Sequence, residues 1–160
     1  MSDLPDRDAP TAPAGLLAAG SRLILPAVWL GLIIGISLIE APLKFQAPGI
    51  TIPLGLGIGR LVFGAMNVVE IALFLAWLAA SLGRRLGRGY LGLVAAVGSV
   101  LALKVFALRP PLNRRTDRVL AGLDDGGSIW HYLYIAADGL LLVLLAGALV
   151  LGVRRWIKAR

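Results

Sequence analysis

Three ionisable side chains, Glu70, Lys104 and Asp138, interrupt long apolar stretches of this 160-residue chain. A charge inside hydrocarbon is expensive, and by default it marks a polar interior, a conduction path or an ion pair. At 100° per residue Arg60, Asn67 and Glu70 lie within about 80° of one another on a helix. By the same arithmetic His131, Tyr134 and Asp138 fall within about 60°. Lys104 stands alone on its stretch, so its direction stays open. Two polar stripes and a lysine are what a bundle with a wet or ion-paired interior would show. The expected ligand- or ion-binding set is Arg60, Asn67, Glu70, Lys104, Arg109, His131, Tyr134 and Asp138.

Two chemistries fit this set. In one, Lys104–Asp138 and Arg60–Glu70 are structural ion pairs that fix helix register while adding little stability. In the other, Glu70 finds no full positive partner at mid-depth and serves a proton or ligand site. A hard metal site would draw on His131, Glu70 and Asp138, with Glu40 nearby, but one histidine without a ligand at metal spacing is a weak signal. Ser128, His131 and Asp138 do not make a relay, because they follow one another along a loop and one helix. No cysteine is present, and no phosphate loop, dinucleotide fingerprint or nucleophile elbow occurs. No catalytic residue is therefore assigned, and the cofactor stays unknown. Arg109, aimed by Pro110 and Pro111, is expected to meet an anion or a lipid phosphate. Arg115 and Arg118 read as part of a solvated basic loop.

These residues need elements to hold them, and composition says which. The chain is 58% hydrophobic with a mean hydropathy of +0.84, and a soluble fold this small cannot cover so much apolar surface. A helix needs about 20 apolar residues to cross the hydrocarbon of a bilayer. Spans are expected at about 23–40, 60–82, 89–108 and 131–153. The fold class is all-α: an integral membrane four-helix bundle over residues 23–156. A disordered tail, 1–22, precedes it and a basic tail, 157–160, follows. The net charge of +7 does not indicate nucleic acid, because the basic residues sit at the ends of apolar stretches rather than among aromatics on a soluble face.

Four spans put both termini on one side. Arg7, Arg22, Arg84, Arg85, Arg88, Arg154, Arg155, Lys158 and Arg160 gather there, against Lys44, Arg60, Arg109, Arg114, Arg115 and Arg118 opposite. Counting Lys and Arg makes the termini cytoplasmic and the polar site outward-facing. Trp130 and Trp156, 26 residues apart in number, suit the two interfaces at about 39 Å of helical rise. Trp77 reads as a further interfacial marker. Gly31 with Gly35, and Ala148 with Gly152, are expected packing faces. The outer connection from Glu40 to Gly59, broken by Pro42, Pro48 and Pro53, is expected at the interface or dipping between helices. The second outer connection is expected to carry a short surface helix with Leu112, Val119, Leu120 and Leu123 on its apolar face, ended by Gly122, Gly126 and Gly127.

The run Trp29-Leu30-Gly31, then Ala41-Pro42-Leu43-Lys44-Phe45, then Arg109-Pro110-Pro111-Leu112-Asn113, and His131 opening the last span resembles small four-span bacterial membrane proteins. These are similar to the eukaryotic family typified by transmembrane protein 205. The resemblance implies a four-helix bundle in a bacterial inner membrane and assigns no catalytic residue. The expected function is an outward-facing intramembrane polar site that handles a small ligand, ion or proton. The alternative is a non-catalytic accessory or assembly subunit of a larger membrane complex. The partner is the lipid bilayer, and other membrane subunits or a second copy are compatible with either function.

Overall fold

A computed structural model describes residues 13–82, 86–124 and 128–158. These residues are helical almost throughout, with no strand among them. The first span is α1 (Pro13–Ile33), a π-helical segment π1 (Ile34–Glu40) and a short α2 (Ala41–Lys44) in unbroken succession. The second is α3 (Ile52–Ser81). The third joins α4 (Arg88–Ala102), a second π segment π2 (Leu103–Leu108) and α5 (Arg109–Leu120), and the fourth is α6 (Ile129–Lys158). Four continuous stretches, Gly15–Lys44, Ile52–Ser81, Arg88–Leu120 and Ile129–Ile157, are long and apolar enough to cross a bilayer. Phe106, Leu61 and Val143 stand outward from the bundle, an apolar exterior that a water-soluble domain of this size rarely shows. This is a four-span membrane bundle.

The elements are longer than the apolar runs suggest. Pro13 to Arg22, expected in a disordered lead, is helix, since Leu16, Leu17, Ala18 and Ala19 are strong helix formers. Residues 1–12 lie outside the described residues, as do Gly83 to Arg85, Asp125 to Gly127, and Ala159 with Arg160. The expected long loop from Glu40 to Gly59 is mostly two helix ends. Pro53 sits in the first turn of α3, where the missing N–H has no intrahelical partner to lose, and Pro42 directly follows π1 in the continuing helix. Only residues 45–51 remain between the helices, turning at Gly49 with φ +82°. Thr51 then caps α3, its side chain accepting from the Leu54 amide at 3.4 Å.

The second outer connection is likewise a continuation of its span. Pro110 and Pro111 open α5 directly after π2, which leaves the α-helical partners of the Phe106 and Ala107 carbonyls missing. Thr116 and Val119 turn inward, whereas Leu120 and Leu123, expected on the same face, are exposed. Gly122, at φ +70°, stops the helix, and the Leu123 amide reaches back to the Arg118 carbonyl at 2.9 Å.

Packing fixes the direction of the spans. α1 lies between α3 and α6, α4 packs on α6, and α5 closes the ring against α3. Arg22 donates to the Ala80 carbonyl at 3.2 Å, and the Arg155 guanidinium lies 5.4 Å from the Tyr90 ring. The start of α1, the end of α3, the start of α4 and the end of α6 therefore share one end of the bundle. Trp77 is not an interfacial marker. It is fully buried at this end, donating from Nε1 to the Tyr90 hydroxyl at 2.9 Å. Of the two expected small-residue faces, Ala148 and Gly152 pack, the latter against Leu23, while a Cβ added at Gly31 or Gly35 would meet open space among the described residues.

A tighter approach occurs at Gly98, where an added Cβ would lie 2.5 Å from Cζ of Phe74. Phe74 in turn meets Trp29 edge-on, with centroids 6.4 Å apart. Gly98→Leu should push this pair aside and destabilise the bundle by about 1–3 kcal/mol, as read by SDS-induced unfolding in mixed micelles. An unchanged midpoint would show that α3 and α4 do not meet there.

Candidate functional site

Toward the opposite end the core turns polar. Glu70, Lys104 and Asp138 are all buried. Lys104 Nζ lies 2.9 and 2.8 Å from the two Glu70 oxygens and also donates to Asp138 Oδ1. Trp29 Nε1 donates to Glu70 Oε1 at 3.0 Å, and Ser37 Oγ donates to Asp138 Oδ2 at 2.7 Å. The ammonium also sits 4.8 Å from the Tyr134 ring centroid, a cation–π distance. All four spans thus contribute to one connected network. One ammonium faces two carboxylates, so the fully ionised cluster carries one surplus negative charge.

Local backbone explains two members. Ser37 lies within π1 and Lys104 within π2. π turns are uncommon, insert a residue into the helical period and recur at functional sites. Lys104 is brought into the core, and half-buried Ser37 against Asp138, from segments where the 100° period does not apply.

Asn67 extends the network outward. Turned with its oxygen toward the guanidinium, its amide donates to Glu70 Oε2 at 3.0 Å and accepts from Arg109 Nη1 at 2.7 Å. The Tyr134 hydroxyl lies 2.6 Å from the same amide. Arg109 also donates from Nη1 to the Phe63 carbonyl at 2.7 Å and from Nη2 to the Arg60 carbonyl at 3.3 Å. Gly64 leaves the room for this, since a Cβ there would lie 2.8 Å from Nη2. Among the described residues Arg109 has no carboxylate in ion-pair contact.

Above the network is a cavity of about 390 Å³, within the range typical of small-ligand sites. Ser37, Tyr134 and Asp138 line its polar part, with Arg109, Arg60, Lys44 and His131 around it, and Phe45, Leu56 and Ile135 among the apolar walls. Lys44 lies 3.4 Å from Glu40 and against the Phe63 ring at 5.5 Å. Glycines keep the α3 wall flat: a Cβ at Gly59 would lie 3.0 Å from Lys44 Nζ.

The eight expected residues all lie in the buried network or at the cavity, with two changes of partner. Asn67, Glu70, Lys104, Tyr134 and Asp138 form the buried network, and Arg109 and His131 border the cavity. Arg60 does not pair with Glu70. It is exposed and pairs with Asp117, because α5 lies along α3 and offers a carboxylate outside the core. Glu70 does not lack a full positive partner either, since Lys104 reaches it from π2. His131, Glu70 and Asp138 do not converge: no cluster of three metal-type ligands occurs among the described residues, and Lys104 occupies the space between the carboxylates. Trp29, Ser37 and Lys44 belong to the site without having been expected there. Arg115 and Arg118 are not simply solvated but face Asp124, at 2.7 and 4.0 Å. Comparison with protein-family models, curated proteins and solved structures gives no match.

Arg60→Ala removes only an exposed pair and should change stability by less than about 1 kcal/mol. The same SDS titration checks this, and a larger loss would mean that Arg60 supports the buried network.

Proposed function

We propose that this multi-pass membrane protein binds a small ligand in the cavity between the ends of its spans, with the network beneath acting as the polar floor. The observation that carries the reading is the continuity of the two: Asp138 and Tyr134 belong to the buried network and also line the cavity. The excess of Lys and Arg at the terminal end supports cytoplasmic termini and an outward-facing cavity in a plasma membrane. Resemblance to the transmembrane protein 205 family is part of the same reading. Lys44, Phe45, Arg109, Leu112, Asn113 and His131, on which it rests, border the cavity, and Trp29 bonds Glu70.

Filling the cavity tests the reading. Native mass spectrometry of the protein released from lipid should show a bound small molecule, and Ala41→Trp should remove it without unfolding the bundle. A species retained by the filled variant, or none in the parent, contradicts the proposal. One observation favours a second reading, an accessory subunit of a larger complex. Lys104, Glu70 and Asp138 satisfy one another as struts would. Native purification that yields stoichiometric membrane partners and no small molecule would favour it.

A further inference from the structure

The cavity walls define a ligand class. Lys44, Arg60 and Arg109 place three cationic groups on the wall, against Asp138 as its carboxylate. Asp138 is already engaged by Lys104 and Ser37. Lys44 and Arg60 have acidic partners in Glu40 and Asp117, so the cation with only neutral acceptors is Arg109. With both Nη1 hydrogens and one on Nη2 given to these neutral oxygens, Nε and the second Nη2 hydrogen are left to offer to a carboxylate, phosphate or sulfonate. Leu38, Pro42, Phe45, Leu56, Leu112 and Ile135 supply an apolar lining beyond it. A polar head and an apolar body are both accommodated.

Charge balance adds a coupled event. Arg109, joined to Glu70 through the neutral Asn67 amide, carries the positive charge that can balance the surplus carboxylate of the Lys104–Glu70–Asp138 cluster. An anion seated on Arg109 would leave that surplus uncompensated in a low-dielectric interior, where an unpaired charge is strongly disfavoured. Uptake of one proton by the Glu70–Asp138 pair restores neutrality. The other groups facing the site do not supply this proton balance. On the first span Glu40 and Lys44 neutralise each other, and between α3 and α5 Arg60 and Asp117 do the same. On α6 Tyr134 has its hydroxyl on the Asn67 amide, and His131 stands at the cavity wall about two helical turns before Asp138.

We infer that the cavity binds an anionic amphiphile, its head on Arg109, together with one proton taken up by the Glu70–Asp138 pair. The inference rests on the ligand-binding reading of the cavity. Isothermal titration of the full chain in lipid nanodiscs, with empty nanodiscs subtracted, tests it using three probes. Decanesulfonate carries head and tail with a charge fixed across the range, methanesulfonate the head alone, and decanol the tail with a neutral head. Decanesulfonate should bind saturably and at least about tenfold more tightly than either fragment, a difference of about 1.4 kcal/mol. Arg109→Gln should weaken it about tenfold or more, with Arg109→Lys between. Repeating the titration in buffers of different ionisation enthalpy should give about one proton taken up per anion, and Asp138→Asn or Glu70→Gln should abolish the uptake.

Decanol binding as tightly, unaffected by Arg109→Gln but blocked by Ala41→Trp, would overturn the anion assignment while leaving a ligand cavity. Methanesulfonate matching decanesulfonate would overturn the amphiphile and point to a free anion. Anion binding without proton uptake would overturn the coupling. Absence of binding by every probe would overturn the inference, whereas the cavity reading falls only if the parent protein also carries no bound species in native mass spectrometry.

Discussion

Lys104→Met should destabilise the bundle by about 3–5 kcal/mol, because it leaves two buried carboxylates without their cation. Lys104 has no solvent exposure and is the shared partner of Glu70 and Asp138. Neither carboxylate has another cation in ion-pair contact, and Trp29, Ser37 and Asn67 supply only neutral hydrogen bonds. The loss should come from the unpaired charges and not from the missing ammonium itself. Adding Glu70→Gln and Asp138→Leu to Lys104→Met should therefore recover most of it, a non-additivity that neighbours in one network show. SDS-induced unfolding of the single and triple variants measures both. A triple variant as unstable as the single would mean that Lys104 acts through packing alone.

Trp29→Ala is the second large effect, expected at about 3–5 kcal/mol. The indole is fully buried among Ile33, Met66, Leu141 and Leu145, so truncation leaves a void between α1, α3 and α6. Trp29→Phe separates the two contributions of the ring. It keeps much of the packing but removes the Nε1 hydrogen bond to Glu70, and should lose about 1.5–3 kcal/mol, as for bonds to charged groups. If the two variants were equally stable, the hydrogen bond rather than the volume would set the role of Trp29. If Trp29→Phe matched the parent, Glu70 would not need the indole.

The spans were legible because crossing hydrocarbon demands long apolar runs, and these survive any detail of packing. The stripes on α3 and α6 were legible as well, since regular α-helix runs through both and keeps Asn67 with Glu70 and Tyr134 with Asp138. The expected Lys104–Asp138 pair is present, but the direction of Lys104 toward Glu70 and the part played by Ser37 were not legible. Lys104 and Ser37 each lie in a π segment, and nothing in the residue types announces where a helix will take an extra residue. Trp29 and Trp77 were hidden for another reason. An indole with a polar N–H suits an interface and also suits a buried acceptor, and only packing shows that both chose the latter.

The partner of Arg60 depended on tertiary structure too. A proline pair after an apolar run reads as a loop, yet Pro110 and Pro111 directly follow π2 and the span continues through them as α5. Once helical, α5 carries Asp117 to Arg60 and Arg109 to the α3 backbone. The glycines of α3 were visible as residues but not as a surface. Gly59 and Gly64 give their space to Lys44 and Arg109, which is how two cations come to border a cavity in an apolar bundle.

Everything functional depends on the cavity being wet and reachable from the end away from the termini. The chain has no cysteine, so single thiols can be placed at Ser37 and Thr116 in its lining and at Val143 on the outer apolar surface. Oriented vesicles and a membrane-impermeant thiosulfonate then read access directly. Ser37→Cys and Thr116→Cys should react only from the side opposite the termini, and Val143→Cys from neither. Reaction from the terminal side, or silence at both lining positions in folded protein, would contradict an outward-open site.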